Sequence, residues 1–140
     1  MASLTRATGA VATYTVVTII YLGAVSRLTH GAYTPSFYEY QLDRAPDNES
    51  TWLVPYVDTA LATLALVRAT RSYALFFCVA FQVMGLGLRL REGKDVTPDA
   101  TLTLATVVAL ATSVVGDIRA AGDGNKKAAV ENSRGQDAQG

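Results

Sequence analysis

The sequence predicts an all-α integral membrane protein, a bundle of four helices. Half of its 140 residues are hydrophobic. Only 17% are charged, below the roughly 25% typical of soluble domains. The charged residues largely avoid four long apolar segments, which fit membrane-spanning helices. These segments are rich in small and hydroxyl-bearing residues, which favour close packing between membrane helices. We therefore expect one compact bundle.

The four predicted helices cover about residues 8–26, 52–67, 72–90 and 99–118. The first could instead be a signal peptide, because Ala24-Val25-Ser26 offers small residues at a suitable spacing for cleavage. Its length and the single leading charge of Arg6 favour a retained helix. The second and third helices are joined by residues 68–71, short enough for an antiparallel hairpin. Thr97 can cap the fourth helix, with Pro98 in its first turn.

Residues 1–118 form the predicted membrane domain, and residues 27–51 form a long loop within it. Four aromatic residues stand close together in this loop: Tyr33, Phe37, Tyr38 and Tyr40. Loops of this length are often lids or binding loops. The alternative is an interfacial turn that only seals the bundle. Residues 119–140 are polar, glycine-rich and without apolar periodicity, which predicts a disordered tail.

Composition excludes several classes of function. The formal charge is zero and there is no basic block, so no nucleic-acid partner is expected. A single cysteine, Cys78, excludes an internal disulfide and a cysteine-based zinc site, and a single histidine excludes a multi-histidine metal centre. Glycine-rich phosphate loops and the GxSxG elbow are missing. We therefore expect neither a metal nor a cofactor.

Asp58 is the one charged residue in the predicted second helix. It lies six residues in from Trp52, or ~9 Å along the helix axis. A carboxylate at that depth costs about 2.5–3.5 kcal/mol, so it usually faces a protein interior or a wet cavity. One interpretation is a group that transfers protons or orients a substrate. The other is a buried hydrogen-bonding latch between helices.

Topology predicts that further polar residues join Asp58 at one mouth of the bundle. The second helix starts on the side of the long loop, the third ends there with Arg89, and the fourth begins there with Asp99. Helical spacing places Gln82 on the same face of the third helix as Arg89, two turns earlier in the chain. Each also has a simpler interpretation: Arg89 can extend to headgroups, Asp99 can stabilise a helix N-terminus, and Gln82 can bond a neighbouring helix.

Tyr21 and His30 are expected at the same mouth. Tyr21 belongs to the polar face of the first helix, and His30 follows that helix at the loop surface. The simpler interpretation of His30 is an interfacial surface residue. Together with Tyr56 and Gln82, these two residues form the predicted substrate-binding set. The polar faces outline a cavity that opens toward the loop.

The chemistry expected of this site is acid–base catalysis. Apolar surroundings disfavour the charged form of a carboxyl group, so Asp58 is expected to be protonated and to act as a general acid. Asp99, beside Arg89, is expected to stay ionised as the base or water-orienting group, with Arg89 as charge partner or oxyanion stabiliser. Such a pair suits acid-assisted opening of an epoxide, protonation of an alkene or isomerisation of a polyene. A membrane cavity would select lipophilic substrates such as polyketides or terpenoids.

Three short motifs carry a family resemblance: Trp52-x-x-Pro55-Tyr56-x-Asp58, Gly85-x-Gly87-x-Arg89 and Gly93-x-Asp95. In these motifs and in its size, the chain resembles the small four-helix membrane epoxide hydrolases and cyclases of fungal secondary-metabolite clusters. Those proteins accompany polyene and polyketide pathways of the aurovertin, citreoviridin and decahydrofluorene kinds. The resemblance spans roughly residues 14–119. It implies epoxide opening or ring formation on a hydrophobic polyketide.

The expected location is the membrane of the endoplasmic reticulum. Seven lysines and arginines fall on the side of the termini and five on the other, which favours cytoplasmic termini. Membrane lipid and a lipophilic small molecule are the expected partners, with a homo-oligomer or biosynthetic partner enzymes as further candidates. Two alternative functions remain open. One is a non-catalytic scaffold that delivers substrate to an enzyme, and the other is a redox-accessory subunit similar to the DoxX proteins.

Overall fold

The computed structural model describes the backbone of residues 2–137 and the side chains of residues 7–126. Within that range the chain is all helical: α1 (Ala2–Leu28), α2 (Pro35–Leu42), α3 (Val54–Leu66), α4 (Arg71–Arg91) and α5 (Thr97–Asp137). Helix α1 packs against α3 and α5, and α4 packs against α3 and α5, so these helices form a four-helix bundle. The short helix α2 contacts α1. The predicted all-α class is confirmed.

Small residues dominate the core of the bundle. Its buried members are Val16, Val17, Ala62, Ala65, Ala74, Leu75 and Ala109. Alanines at this density let helix backbones approach closely, as the sequence predicts. Large apolar side chains point outward instead, and Phe76, Phe77, Phe81 and Met84 of α4 are all exposed. An apolar outer face around a core of small residues is what a lipid environment favours.

Three helical stretches are long and apolar enough to cross a membrane: Ala7–Leu28, Arg71–Arg91 and Thr97–Lys126. Helix α3 is shorter, with 13 residues. At ~1.5 Å per residue it is ~20 Å long, against ~30 Å for the hydrocarbon core. Three of the four predicted spans thus have helices of membrane-spanning length, and α3 is a shorter apolar helix than predicted. The predicted segment loses residues at both ends, because turn residues precede Val54 and Val67 adopts an extended backbone.

Two regions expected to lack helix contain one. Helix α2 forms inside the long loop, with a proline in its first turn, where the missing N–H has no cost. Helix α5 continues past the expected end near Ile118 to Asp137, so the structure differs from the predicted disordered tail. The absence of apolar periodicity in this segment indicates that it does not pack against the bundle, and residues 114–126 are indeed exposed. An unpacked segment can still be helical, and Ala, Lys and Arg, which are frequent here, favour a helix.

A tight turn after α1 folds α2 back over the bundle. His30 and Gly31 both have positive φ angles, 48° and 77°, and the Gly31 N–H donates to the carbonyl of Ser26 at 2.8 Å. A Cβ on Gly31 would lie 2.8 Å from the Cβ of Tyr38. Only glycine tolerates both that backbone and that approach. The turn thereby fixes α2 at the end of the bundle where α3 and α5 begin.

Candidate functional site

Asp58 lies on α3 and is half-buried. It has no hydrogen bond or ion pair with any residue that the structure describes. It interacts electrostatically with Arg27 of α1 and with Cys78 of α4. The carboxyl group therefore lies within electrostatic range of both α1 and α4, as an ionisable group without a bonded partner among the described residues.

The register of α1 and α3 explains why Arg27 acts on Asp58. The hydroxyl groups of Tyr21 and Thr63 are hydrogen-bonded at 2.7 Å. The two helices are antiparallel, so moving toward the loop means going up in number along α1 and down in number along α3. Six residues, or ~9 Å, lead from Tyr21 to Arg27 on α1 and from Thr63 to the residue before Asp58 on α3. Tyr21 of the predicted substrate-binding set thus contacts α3, where it aligns the two helices.

Arg27 is a candidate site residue to which sequence reasoning gave no role. Only 6% of it is exposed, and its Nη2 donates to the carbonyls of Gln41 at 3.2 Å and Ala45 at 3.0 Å. Its Nη1 is buried without a partner among the described residues, and so is the neighbouring Ser26 hydroxyl. An arginine in the last turn of a membrane helix looks like an interfacial anchor. The antiparallel pairing of the first two bundle helices is the signal that could have placed it beside Asp58.

Gln82 adds a third polar group of this kind. Its Oε1 is buried and has no partner among the described residues. It lies one turn from Cys78 on the same face of α4, toward the loop, and Cys78 is the α4 residue that interacts with Asp58. Buried polar atoms are rarely left unpaired, and each costs about 1–3 kcal/mol. The half of the bundle on the side of the loop, which also contains Asp58, therefore has hydrogen-bonding capacity that the described residues do not use.

The structure also brings Arg89 and Asp99 together, but in a closed ion-pair network. Arg89 Nε lies 3.2 Å from Asp99 Oδ2. Arg44 binds the same carboxylate with two nitrogens, Nε to Oδ1 at 2.7 Å and Nη2 to Oδ2 at 2.6 Å. Only 17% of the Asp99 side chain and 10% of the Arg89 side chain are exposed. Sequence reasoning did not assign Arg44 to the site.

The same network extends to the loop through Asp43. Arg89 Nη1 and Lys94 Nζ each donate to the Asp43 carboxylate at 2.8 Å, and Arg89 Nη2 donates to the Asp95 carbonyl at 2.9 Å. The hydrogen bonds from Lys94 and Arg89 hold the pKa of Asp43 below its ordinary value. The network ties the end of α2 to α4 and α5. With both oxygens of Asp99 bound to Arg44, this geometry suits holding the loop better than accepting a proton.

His30 belongs to a separate cluster at the loop surface. Its Nδ1 lies 3.0 Å from Asp47 Oδ2, and the Tyr38 hydroxyl donates to the same oxygen at 2.6 Å. The hydrogen bond from Tyr38 lowers the pKa of Asp47, and the same bond raises the pKa of Tyr38. The His30 side chain is 76% exposed. The cluster lies on the Asp58 end of the bundle, because Arg27 also acts electrostatically on Asp47.

Tyr56 lies apart from these groups. It is exposed and packs edge-to-face against Trp52, with ring centroids 6.0 Å apart. Two residues along a helix correspond to a rotation of about 200°, so Tyr56 and Asp58 point to opposite faces of α3. The predicted contact of Tyr56 with a substrate inside the bundle does not fit this orientation.

A cavity of about 520 Å³ lies at the end of the bundle away from the loop. It is lined by α1, α5 and the connection from α3 to α4, so it is distinct from the surroundings of Asp58. Among the described residues, no cluster of His, Cys, Asp and Glu is arranged to hold a metal ion.

Comparison with protein-family models, curated proteins and solved structures gives no match to this chain. The resemblance carried by the Trp52–Asp58 and Gly85–Arg89 motifs stays a prediction.

Proposed function

We propose that the protein catalyses the cofactor-independent opening of an epoxide in a lipophilic metabolite, with Asp58 as the general acid. One observation carries this proposal. Asp58 is a half-buried carboxyl group without a hydrogen bond or ion pair in the described chain. It lies within electrostatic range of Arg27, and the same half of the bundle contains buried polar atoms that also lack partners. A group kept in that condition is suited to bonding a substrate oxygen.

The reaction needs one proton donor and one nucleophile. Protonated Asp58 delivers its proton to the ring oxygen as the carbon–oxygen bond breaks, and Arg27 stabilises the carboxylate that forms. Water adds to the ring carbon and returns a proton to Asp58, which gives a vicinal diol. A hydroxyl group of the substrate in place of water gives a cyclic ether. The unpaired Oε1 of Gln82 can accept a hydrogen bond from either nucleophile.

Asp99 and Arg89 take a different role in this proposal from the one that the sequence suggests. Both are bound within the network that includes Arg44 and Asp43, so we assign them to positioning the loop over the site. His30, with Asp47 and Tyr38, lies at the surface of that loop. Arg27 replaces Arg89 as the cation beside the acid.

The surroundings select the class of substrate and the location. The bundle has an apolar outer face and an interior of small residues, so a substrate reaching Asp58 is lipophilic, and a polyketide or terpenoid epoxide fits. The resemblance to fungal epoxide hydrolases and cyclases supports the same class. We place the protein in the endoplasmic reticulum membrane with cytoplasmic termini, on the excess of lysine and arginine on that side.

The test is an isotope assay in microsomes from a host without background activity. Microsomes containing wild type, Asp58→Asn or Glu49→Gln are incubated with a panel of lipophilic epoxides in ¹⁸O-labelled water, and diols are quantified by mass spectrometry. Glu49 is exposed, so Glu49→Gln is the control for loss of an acid. We expect Asp58→Asn to lose at least about 100-fold in rate, the usual contribution of a general acid, while Glu49→Gln matches wild type.

Two outcomes would contradict the proposal. If Asp58→Asn, at equal abundance, forms diol as fast as wild type, Asp58 is a latch between helices. If wild type is inert toward the whole panel but copurifies with a biosynthetic enzyme, the protein is a scaffold. Copurification with a quinone or an oxidoreductase would instead favour the redox-accessory alternative.

A further inference from the structure

The cavity at the end of the bundle away from the loop lies where the membrane-spanning stretches begin or end. Gly9 of α1 lines it, two residues from the start of the span at Ala7, and Arg71 lines it at the start of the α4 span. Gly116 and Ala120 of α5 line it as well. Small side chains on α1 and α5 leave the space open at this end of the spans.

Three arginines line this cavity, and none of them has an ion pair with a described residue. Arg71 is held by the end of α3, because its Nε donates to the Ala65 carbonyl at 3.0 Å and its Nη2 to the Leu66 carbonyl at 3.2 Å. Arg68 and Arg119 make no hydrogen bond or ion pair with any residue in the described part of the chain. Two guanidinium groups are therefore available to a ligand in one cavity.

The carboxylates of the cavity offset the charge of these cations only in part. Asp117 accepts a hydrogen bond from the Ser72 hydroxyl at 2.6 Å, which connects α4 to α5. Asp123 lies further along the exposed part of α5. Three arginines against two aspartates leave an excess of one positive charge in the lining, so the cavity favours an anion.

We propose that this cavity binds the phosphate group of a membrane lipid headgroup, with Arg68 and Arg119 as the donors. Guanidinium groups bind phosphate oxygens through paired N–H bonds, and basic pockets between membrane helices on the cytoplasmic side bind phosphorylated headgroups. The volume of about 520 Å³ falls within the roughly 300–1,000 Å³ of small-molecule sites. The site is independent of Asp58 and of the proposed reaction.

The test is lipid retention by the purified full chain, measured by native mass spectrometry after release from nanodiscs. The nanodiscs contain phosphatidic acid and phosphatidylcholine with the same acyl chains. We expect wild type to retain phosphatidic acid preferentially, and Arg68→Gln/Arg119→Gln to lose at least about tenfold of that retention. Arg91→Gln is the control, because Arg91 is exposed at the opposite end of α4.

A second variant keeps every charge and fills the space. A Cβ on Gly116 would meet no atom within 4 Å, so Gly116→Leu can be accommodated and should block retention by occupying the cavity.

A further arm of the experiment adds glycerol 3-phosphate to the nanodiscs. If it displaces phosphatidic acid, the site takes phosphate from a soluble metabolite, and if it does not, the phosphate comes from lipid. Equal retention of both lipids by wild type, or an equal loss in Arg91→Gln, would overturn the proposal.

Discussion

The two ends of the bundle both carry several arginines, but they use them in opposite ways. At the loop end, Arg44 and Arg89 are bound to the carboxylates of Asp99 and Asp43. At the other end, Arg68 and Arg119 line a cavity and have no ion pair with described residues. The same residue type therefore fixes structure at one end and is free for a ligand at the other. Pairing, more than residue type or depth, separates the two roles.

The same contrast between bonded and unbonded charges holds for two carboxylates within the loop end. Asp99 has both oxygens bound to a guanidinium, whereas Asp58 has no bonded partner. A carboxylate saturated with donors has little capacity left for a substrate. Chemistry is therefore expected at Asp58, and mechanical support at Asp99.

Breaking the loop-end network should have the largest effect on stability. Removing Arg89 takes one of two cationic partners from the largely buried Asp99, which keeps Arg44, and from the half-exposed Asp43, which keeps Lys94. We expect Arg89→Ala to lower the free energy of unfolding by about 2–3 kcal/mol. Arg91→Ala, two residues along the same helix and exposed, should change it by less than about 0.5 kcal/mol. Unfolding in detergent measures both. Equal effects of the two variants would show that the network contributes nothing.

Tightening the contact between α1 and α5 should have an intermediate effect. A Cβ on Gly9 would lie 2.6 Å from Thr112 Oγ1 and 2.8 Å from its Cβ, so we expect Gly9→Ala to destabilise by about 1–3 kcal/mol. The matched control is Gly87→Ala, where a Cβ meets nothing within 4 Å. It should stabilise α4 by up to about 1 kcal/mol. Opposite shifts in melting temperature are the expected result, and equal shifts would contradict this packing.

Low pH should destabilise the loop end more than the rest of the bundle, and this is the smallest of the expected effects on stability. The pKa of Asp43 in the folded protein lies below its ordinary value of 3.8. Its contribution to stability is therefore present above pH 3.8 and is lost as the pH falls through the lower folded-state value. We expect faster hydrogen exchange in α2 than in α3 as the pH is lowered across this range, after correction for intrinsic rates.

The control for that pH effect is Asp43→Asn, which should exchange faster in α2 already at neutral pH and respond less to acid. Asp47 and Asp95 also have lowered pKa values, so a residual response is expected. An unchanged pH profile in Asp43→Asn would show that Asp43 does not hold the loop.

Hydropathy and topology predicted the features that follow from the order of the helices along the chain. The apolar segments identified the bundle helices, and the meeting of Arg89 with Asp99 followed because one helix ends where the next begins. The length of α3 was not predictable in the same way, because residues 52–53 are as apolar as the helix itself but form a turn.

The partners of those charges could not be predicted, because they depend on how the loop folds. Arg44 reaches Asp99 only after the turn at Gly31 docks α2 against α1, and its guanidinium also stacks on Tyr40 at 3.2 Å from the ring centroid. No periodicity encodes such a docking. Arg27 was missed for a related reason: its burial comes from the carbonyls of Gln41 and Ala45 that cover it.

The most direct test of the central claim compares two replacements of Asp58 in the same membranes. Asp58→Asn removes the transferable proton, and Asp58→Glu keeps it on a longer side chain. If Asp58 is the acid, Asp58→Glu retains measurable diol formation and Asp58→Asn falls to background, with both melting temperatures close to wild type. Equal rates for the two variants would contradict the claim and assign Asp58 to holding the helices together.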